Sequence, residues 1–263
     1  MKIVACIKYS YAISELRVDP ATHELRLGTT PQRVGVIDKN VLEAAAVLGS
    51  AAGATVHGLT FAPIGARENF REAIAMGLED LTIVDSTGWT AEGPAATAAV
   101  LAAAIQKMGG ADLVVCGEAS DDGVSYQVPA RLAERLGLPL VAYARNISLA
   151  GNTVTADRDL DSGMQSVACD LPLVLTVTQE TNTPRRPTLM DAVKAKKKPV
   201  VVWQPAGDLG LSAEALQAHG GVTRTSQEGI VIKRKEQVLK GDDMAALANK
   251  LLDALLAEHV VAE

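Results

Sequence analysis

The sequence predicts an α/β protein built on a doubly wound, mostly parallel sheet, with an antiparallel extension and a C-terminal arm that contains a helix. Two observations predict this class. Through about residue 139, short apolar runs alternate with longer Ala-rich segments, and such alternation favours a parallel sheet with helices on both faces. From about residue 141, strand-like runs are joined by short turns, which favours an antiparallel or mixed extension of the same sheet.

The first half of the chain contains the strand–helix alternation. Phe70, Ile74 and Leu78 recur at helical spacing, and Pro94 stands where the first turn of a later helix is expected. The expected strands span residues 2–8, 55–61, 81–85 and 111–117, and the expected helices span residues 40–53, 66–80, 93–110 and 126–139.

The second half divides into the sheet extension and the arm. Turn sequences at 150–152 and 161–163 separate the later strands. We therefore expect one domain over residues 1–205 and an arm over residues 206–263. The arm ends in an amphipathic helix predicted at 242–260, and its apolar stripe consists of Leu247, Leu251, Leu252, Leu255 and Leu256. A stripe of this kind needs a surface to cover it, either on its own domain or on a partner chain.

Composition excludes several classes of protein. The net charge is −6 and aromatic residues make up 3% of the chain, so a nucleic-acid binder is not expected. No apolar run is long enough to insert into a membrane, and we expect a cytoplasmic protein. The three cysteines are widely spaced and are predicted to be small apolar side chains in the interior rather than metal ligands. The histidines are scattered, so neither a catalytic site nor a metal site is expected.

Ligands of parallel α/β sheets bind beyond the carboxyl ends of the strands. The strand that ends at Gly117 is followed by a polar loop and then by a helix, which predicts backbone N–H groups of residues 123–126 near a helix N-terminus. Such an arrangement suits a phosphate, although Asp121 and Asp122 are awkward neighbours for an anion. An ordinary turn from strand to helix remains the alternative.

Residues 184–198, which we call the lysine-rich segment, combine rigidity, exposure and positive charge. Pro184 and Pro187 stiffen the approach to a short helix. Leu189 and Met190 stand at the exposed start of that helix, and Lys194, Lys196, Lys197 and Lys198 follow. An apolar anchor among lysines predicts a docking site for an acidic partner, whereas a solvated helix is the simpler alternative.

At this segment the sequence resembles the β subunit of electron transfer flavoproteins. The resemblance rests on Asn182, Pro184, Arg185, Thr188 and Leu189, followed by the lysines from 194 to 198. Further similar stretches, which fade after about residue 212, are "IVACIK" (3–8), "DKN-x-LEAA" (38–45), "REAIAMG" (71–77), "VVCGEASDDG" (114–123) and "GDLGL" (207–211).

This resemblance implies a Rossmann-like fold and a place in a heterodimer. Family members pair with an α subunit that holds most of one redox-active FAD. They take electrons from flavin dehydrogenases, such as acyl-CoA dehydrogenases, and pass them to a membrane quinone oxidoreductase or a similar acceptor. The β subunit binds AMP structurally in one branch and, in the bifurcating branch, a second FAD that reacts with NADH.

The resemblance also implies site residues. By position, the nucleotide would contact Cys6, Gly35, Val36, Ile37, Asp38, Phe61, Gly117, Asp122, Gly123, Val124, Ser125, Tyr126, Gln127 and Val128. The docking residues would be Pro184, Arg185, Leu189, Met190, Lys194 and Lys197. Lys194 and Lys197 match lysines that are methylated in some members.

Two departures from the family pattern bear on the ligand. Relatives often carry Asn-Pro where this chain has Gly35-Val36, and Tyr126 is bulkier than usual. A bulky side chain at Tyr126 favours the compact AMP, with a second FAD as the alternative. A stand-alone nucleotide-binding regulator of the stress-protein type is a third possibility, against which the lysine-rich segment and the amphipathic arm both argue.

Overall fold

The structure of the protein is a computed structural model that describes residues 1–218, 222–232 and 235–261. The strands are β1 (Lys2–Cys6), β2 (Tyr9–Tyr11), β3 (Gln32–Val34), β4 (Thr55–Ala62), β5 (Asp80–Asp85), β6 (Leu113–Gly117), β7 (Leu140–Ala150), β8 (Thr153–Leu160), β9 (Gly163–Asp170), β10 (Leu173–Val177) and β11 (Val200–Trp203). The α-helices are α1 (Val36–Ala52), α2 (Arg71–Ala75), α3 (Pro94–Lys107), α4 (Val128–Leu136), α5 (Leu189–Ala195), α6 (Pro205–Leu209), α7 (Ala213–Ala218) and α8 (Met244–Ala257). Short 3₁₀ helices span Ile13–Glu15, Leu27–Thr29 and Ile64–Phe70.

Within the described residues, nine strands form one sheet in the order β11-β5-β4-β1-β6-β10-β7-β8-β9. The strands from β11 to β7 pair in parallel, whereas β7, β8 and β9 pair antiparallel. The predicted Rossmann-like class, with its antiparallel extension, is therefore confirmed. A separate antiparallel pair consists of β2 and β3, and β2 begins three residues after β1 ends.

Helices cover both faces of the sheet. On one face, Leu42 of α1 and Ile74 of α2 belong to an apolar cluster with Phe70. On the other face, Ile105 of α3 and Leu132 of α4 pack with a second cluster. Alanine, valine, leucine and isoleucine dominate both clusters, as the low aromatic content predicts, and the small alanines let the helices approach the sheet closely.

The expected helix over 66–80 is shorter in the structure. Residues 64–70 form a 3₁₀ helix, and α2 ends at Ala75. Gly77 follows with φ of +128°, a conformation that favours glycine and cannot continue a helix. Phe70, Ile74 and Leu78 are nevertheless all buried, so their spacing correctly predicts the buried face.

Two cysteines occupy the interior as expected and the third does not. Cys6 and Cys116 are buried, whereas Cys169 lies half-buried on β9. Among residues 1–218, 222–232 and 235–261, no helix combines the length and apolar character that crossing a bilayer requires.

The chain divides into two compact units. The first comprises Met1–Arg17 and Leu25–Gln227, and the second comprises Val18–Glu24 and Glu228–Glu263. In the second unit, α8 begins at the cap Asp243, whose side chain accepts from the N–H of Ala245 at 2.9 Å. The helix has no buried residue, and Leu251 and Leu252 are about half exposed. The boundary at residue 205 stays a prediction, as does the surface that covers the stripe; residues 219–221, 233–234 and 262–263 of the predicted arm lie outside the described residues.

Candidate functional site

A cavity of about 360 Å³ lies where the chain leaves β1 and β6. Predicted residues Val36, Ile37, Val124 and Tyr126 line it. The other lining residues are Ser10, Tyr11, Ala12, Ile13, Ser14, Arg33, Ala119, Ser120, Asp121 and Gln179. Its volume lies in the range of small-molecule sites, and its place beyond the carboxyl ends of parallel strands is where such folds bind ligands.

Asp38 lies beneath this cavity and is 5% exposed. Its Oδ1 accepts from the backbone N–H of Lys8 at 2.8 Å, while its Oδ2 accepts no hydrogen bond from any described residue. Burial raises the pKa of Asp38 to about 7; the Lys8 hydrogen bond opposes this shift, and the charges of Asp121 and Asp122 add to it. The carboxyl therefore changes charge near neutral pH.

The position of the Asp38 carboxyl leaves no room for a side chain at residue 35, so glycine is needed there. A Cβ on Gly35 would stand 2.2 Å from Asp38 Oδ2 and 3.0 Å from Asp121 Oδ2, so a side chain here would displace both carboxyls. The same Asp121 Oδ2 accepts from the N–H of Val36 at 2.6 Å. Because Val36 opens α1, Asp121 places its negative charge at the N-terminus of that helix, where it is favourable.

The loop between β6 and α4 is held by Lys8 and Ser120. Lys8 Nζ donates to Ser120 Oγ at 3.2 Å and also forms an ion pair with Asp122. The N–H groups of Gly123 and Val124 donate to Ser120 Oγ at 3.2 Å and to its carbonyl at 3.0 Å. Two of the N–H groups predicted to cradle a phosphate are therefore bonded within the loop.

Two residues of the loop adopt an unfavourable backbone conformation. Val124 has φ of +42° and Tyr126 has φ of +55°, the left-handed region that costs β-branched and bulky side chains most. Both side chains are about half exposed at the cavity. Strain of this kind concentrates in ligand-binding loops.

The remaining predicted residues are not among those that line the cavity. Gly117 permits the close approach of α1, because a Cβ there would lie 2.7 Å from Ile37 Cγ2. Cys6 is buried in the core, and Phe61 packs edge-on against Trp89 with ring centres 6.0 Å apart. Gln127 precedes α4, and its side-chain oxygen accepts hydrogen bonds from Arg131 rather than from the N–H groups of the helix. Val128 is the first residue of α4. Ser125 lies between Val124 and Tyr126. Their contact with a nucleotide stays a prediction.

Sequence reasoning did not assign Lys8, Ser10 and Arg33 to this site, and it treated Asp121 only as an awkward neighbour for an anion. In the structure Ser10, Arg33 and Asp121 line the cavity, while Lys8 donates to Ser120 and pairs with Asp122. Lys8 directly follows the first strand, so its place at a strand end was the signal that could have found it. Arg33 stands on β3, a strand too short to be recognised in the sequence.

Two sets of hydrogen bonds join α1 to Asn182, two residues before the lysine-rich segment, and to Arg185 within it. Asn40 Nδ2 donates to the carbonyl of Asn182 at 2.8 Å, and Asn182 Nδ2 donates back to the carbonyl of Asn40 at 3.1 Å. Arg185 donates from Nε and Nη2 to the Glu43 carboxylate at 2.6 and 2.9 Å, and its backbone N–H donates to the same group at 3.0 Å. These bonds from Arg185 hold the pKa of Glu43 below its usual range, although burial opposes the shift.

Helix α5 begins with a capping box. The N–H of Asp191 donates to Thr188 Oγ1 at 3.2 Å, and the N–H of Thr188 donates to the Asp191 carboxylate at 3.0 Å. Reciprocal bonds of this kind satisfy N–H groups that the helix itself cannot. They fix the start of the helix, where Leu189 and Met190 are 82% and 65% exposed.

The positive charge around this helix comes from three lysines rather than four. Lys194, Lys196 and Lys197 are exposed. Lys198 instead turns inward, where it donates to the carbonyl of Leu78 and lies 3.9 Å from Glu79. Within the described part of the chain, no three His, Cys, Asp or Glu side chains converge as a metal site.

Fold and site together define a Rossmann-like α/β protein whose polar loops gather beyond the carboxyl ends of its parallel strands. Comparison with known proteins identifies the family within this fold class. Residues 30–208 match the family described as "Electron transfer flavoprotein domain". The chain therefore belongs to the electron transfer flavoprotein family, and its full-length similarity to the proteins below places it among the β subunits, which serve electron transfer.

Three relatives align over 99% of this chain and 100% of their own length. The caffeyl-CoA reductase–Etf complex subunit CarD of Acetobacterium woodii is 29% identical. The electron transfer flavoprotein β subunits of Thermoanaerobacterium thermosaccharolyticum and Megasphaera elsdenii are 30% and 27% identical. Proteins of this family work with an α subunit and with redox partners.

Proposed function

We propose that this chain forms a heterodimer with an electron transfer flavoprotein α subunit, binds AMP, and docks flavin dehydrogenases so that their electrons reach an FAD held mainly by the α subunit. A quinone oxidoreductase or a similar acceptor would then take the electrons. The observation that carries the proposal is the exposure of Leu189 on a helix start that hydrogen bonds hold in place.

The docking role follows from the combination of exposure and rigidity. An apolar side chain that is 82% exposed is costly unless a partner covers it, and large exposed apolar groups mark interaction sites. Because Glu43 and the capping box already fix the segment, little conformational entropy is lost on binding. Pro184, Arg185, Met190, Lys194 and Lys197 would frame the anchor.

AMP is the ligand that the cavity supports best. Tyr126 lines the cavity, and a bulky side chain at this position favours a mononucleotide. Lys8 lies at the loop, and Arg33 lines the cavity and pairs with Glu15 at 3.0 Å. Each cation would have to leave its carboxylate to bind a phosphate group. Lys8 would then exchange its bond with Asp122 for one with the phosphate. AMP has no redox-active group, so in this cavity it would serve a structural role.

A second FAD is the alternative, in which case NADH would react at this subunit. The exposed rim at Val36, Val124 and Tyr126 favours it, since a dinucleotide could extend outward across this rim. The adenosine half would then take the place that we assign to AMP.

The arm and the dehydrogenase partner complete the proposal. The half-exposed leucines of α8 would pack on the α subunit, where an apolar stripe finds a cover. One relative is named as a subunit of a complex with caffeyl-CoA reductase, and we therefore propose a flavin dehydrogenase or reductase that acts on an acyl-CoA as the partner.

The first test is the nucleotide content of the heterodimer. This chain would be co-expressed with its α subunit, and the purified complex denatured and its released nucleotides quantified by mass. We expect one FAD and one AMP per heterodimer. Two FAD and no AMP would replace the AMP assignment by the alternative.

The docking role has its own test. Leu189→Ala removes the apolar anchor, and we expect kcat/KM for reduction by an acyl-CoA dehydrogenase to fall about 30-fold or more, as for a central hot spot. FAD content should be unchanged, because the side chain is exposed. The matched control is Val201→Ala, an exposed apolar residue on β11. Unaltered electron transfer in Leu189→Ala would refute the anchor.

A further inference from the structure

A second cavity, of about 610 Å³, lies between α1, α2 and the lysine-rich segment. We call it the basic groove and define it by Lys39, Arg71, Glu72, Arg185, Arg186 and Lys196. Five of these six side chains are cationic. The groove is separate from the cavity at β1 and β6, with which it shares no lining residue.

Three of the five cations already have partners. Lys39 pairs with Glu72 at 2.7 Å, and Arg185 is bound by Glu43. Arg71 lies 3.2 Å from Glu68 and also donates to the carbonyl of Ala195 at 3.2 Å.

Arg186 and Lys196 are the two remaining cations, although the charge of Lys196 also helps to lower the pKa of Glu68. In residues 1–218, 222–232 and 235–261, no carboxylate forms an ion pair with either side chain. Both residues are exposed. The groove therefore carries an excess of positive charge that attracts a negatively charged group.

The walls of the groove are suited to a peptide rather than to a single small anion. Pro184 and Pro187 form one wall, and Ala75 and Ala192 contribute apolar surface. A free phosphate gains nothing from apolar walls, whereas an extended segment buries its backbone and side-chain carbons against them. The prolines and the capping box also hold this wall in place before binding.

The groove continues the surface that we assign to docking. Ala192 and Lys196 lie in and directly after α5, and Leu189 precedes Ala192 by three residues. Residues three apart share a helix face, so a partner that covers Leu189 reaches the edge of the groove.

We infer that the basic groove binds an acidic segment of the redox partner that contacts Leu189, with Arg186 and Lys196 as the charges that select it. This inference rests on the proposed docking function and deepens it. The anchor contributes apolar contact, and the groove contributes charge recognition and faster association.

The first experiment measures binding to the groove itself. A fluorescently labelled hexaglutamate peptide is titrated into the α–β heterodimer at low salt and followed by fluorescence anisotropy. We expect Arg186→Gln/Lys196→Gln to weaken binding about 10-fold. Leu189→Ala and the control Arg17→Gln/Arg135→Gln, which removes two exposed charges elsewhere, should bind as the native complex does.

Two outcomes of this titration overturn the inference. Unaltered binding by Arg186→Gln/Lys196→Gln would show that the groove does not select acidic peptides. Displacement of the peptide by inorganic phosphate at the same molar concentration would instead identify a site for small anions.

The second experiment uses ionic strength to distinguish the contribution of the basic groove to the reduction rate from that of Leu189. We expect Arg186→Gln/Lys196→Gln to lower kcat/KM for reduction by an acyl-CoA dehydrogenase about 3- to 10-fold at low salt, with the deficit vanishing at high salt because screening removes the charge effect. The deficit of Leu189→Ala should persist at all salt concentrations. A salt dependence of the groove variant equal to that of the native complex refutes the groove. A normal rate for Leu189→Ala refutes only the anchor.

Discussion

The loop after β6 and the segment after β10 leave neighbouring strands, yet they are held in opposite ways. The first contains two residues at positive φ and lies over a buried carboxyl oxygen without a hydrogen bond. The second is tied by the Glu43 carboxylate and by a complete capping box. The difference teaches that a loop strained at two residues, beside a buried carboxyl oxygen of α1 that accepts no hydrogen bond, leaves a place for a ligand. A fully hydrogen-bonded segment is instead suited to hold the exposed Leu189 side chain still.

The largest test of this contrast concerns Asp38. Its pKa of about 7 lies above the ordinary value of 3.8, so the folded protein binds a proton that the unfolded chain releases. The contribution of Asp38 to stability therefore falls as pH rises from about 4 to 7 and is constant above that range. Asp38→Asn keeps the oxygen that accepts from Lys8 and should be more stable than the native protein by up to about 4 kcal/mol at pH 8.

Thermal unfolding of the heterodimer between pH 4 and pH 8 measures this effect. The two proteins should have equal stability near pH 4 and diverge as pH rises. Lys8, Asp121, Asp122 and Cys116 are the ionisable groups that interact with Asp38, and the control Asp122→Asn should retain most of the pH dependence. Parallel curves for Asp38→Asn and the native protein would contradict a carboxyl that titrates near neutrality.

The next test removes the Glu43–Arg185 ion pair that holds the segment after β10. Glu43→Ala leaves Arg185 without its carboxylate and should lower the free energy of unfolding by about 2 kcal/mol, since the pair is only partly buried. Glu72→Ala breaks the more exposed pair with Lys39 and should cost less than about 0.5 kcal/mol. Chemical denaturation of the two heterodimers compares them, and equal losses would show that the Glu43–Arg185 pair contributes no more than a surface ion pair.

The smallest test concerns strain in the loop after β6. Val124→Gly should stabilise the protein by about 0.5–1 kcal/mol, because glycine adopts positive φ without steric cost. Val36 is as exposed as Val124, 53% against 54%, but opens a helix, so Val36→Gly should destabilise by about the same amount. The same substitution would thus have opposite signs at two sites of one cavity. Destabilisation by both variants would mean that the backbone of Val124 is unstrained.

Much of the sheet could be predicted from the sequence. β1 and β6 are runs of mostly apolar residues, as buried parallel strands require, whereas β4 and β5 also contain polar residues. All four strands were expected within two residues of their positions. β11 was missed because it is a four-residue edge strand directly after the lysines. The hairpin of β2 and β3 was missed because its strands have three residues each and lie 20 residues apart.

The site was predictable to the extent that strand ends mark it. The rule that ligands bind beyond parallel strands selected the loop at Gly117, and Asp121, Val124 and Tyr126 of that loop line the cavity. That a ligand binds there stays a prediction, whereas Leu189 is as exposed as its position suggested. What the sequence could not predict is pairing across the fold: Lys8 with Asp122, Asp121 with Val36, and Lys198 turned inward to Leu78. Such contacts join residues more than 80 positions apart and depend on tertiary packing.

The connection that carries Leu189 also spans the sheet. β10 is sixth and β11 first in the strand order, so at about 4.8 Å per strand the chain between them crosses about 24 Å. Leu189 therefore lies on a connection whose two ends are fixed by strands on opposite sides of the sheet centre. If β11 has not paired with β5, or if a protease has cut the chain between β10 and β11, the connection is fixed at one end only. On the docking role proposed above, an incompletely folded or nicked subunit would not hold Leu189 where it can contact an electron donor.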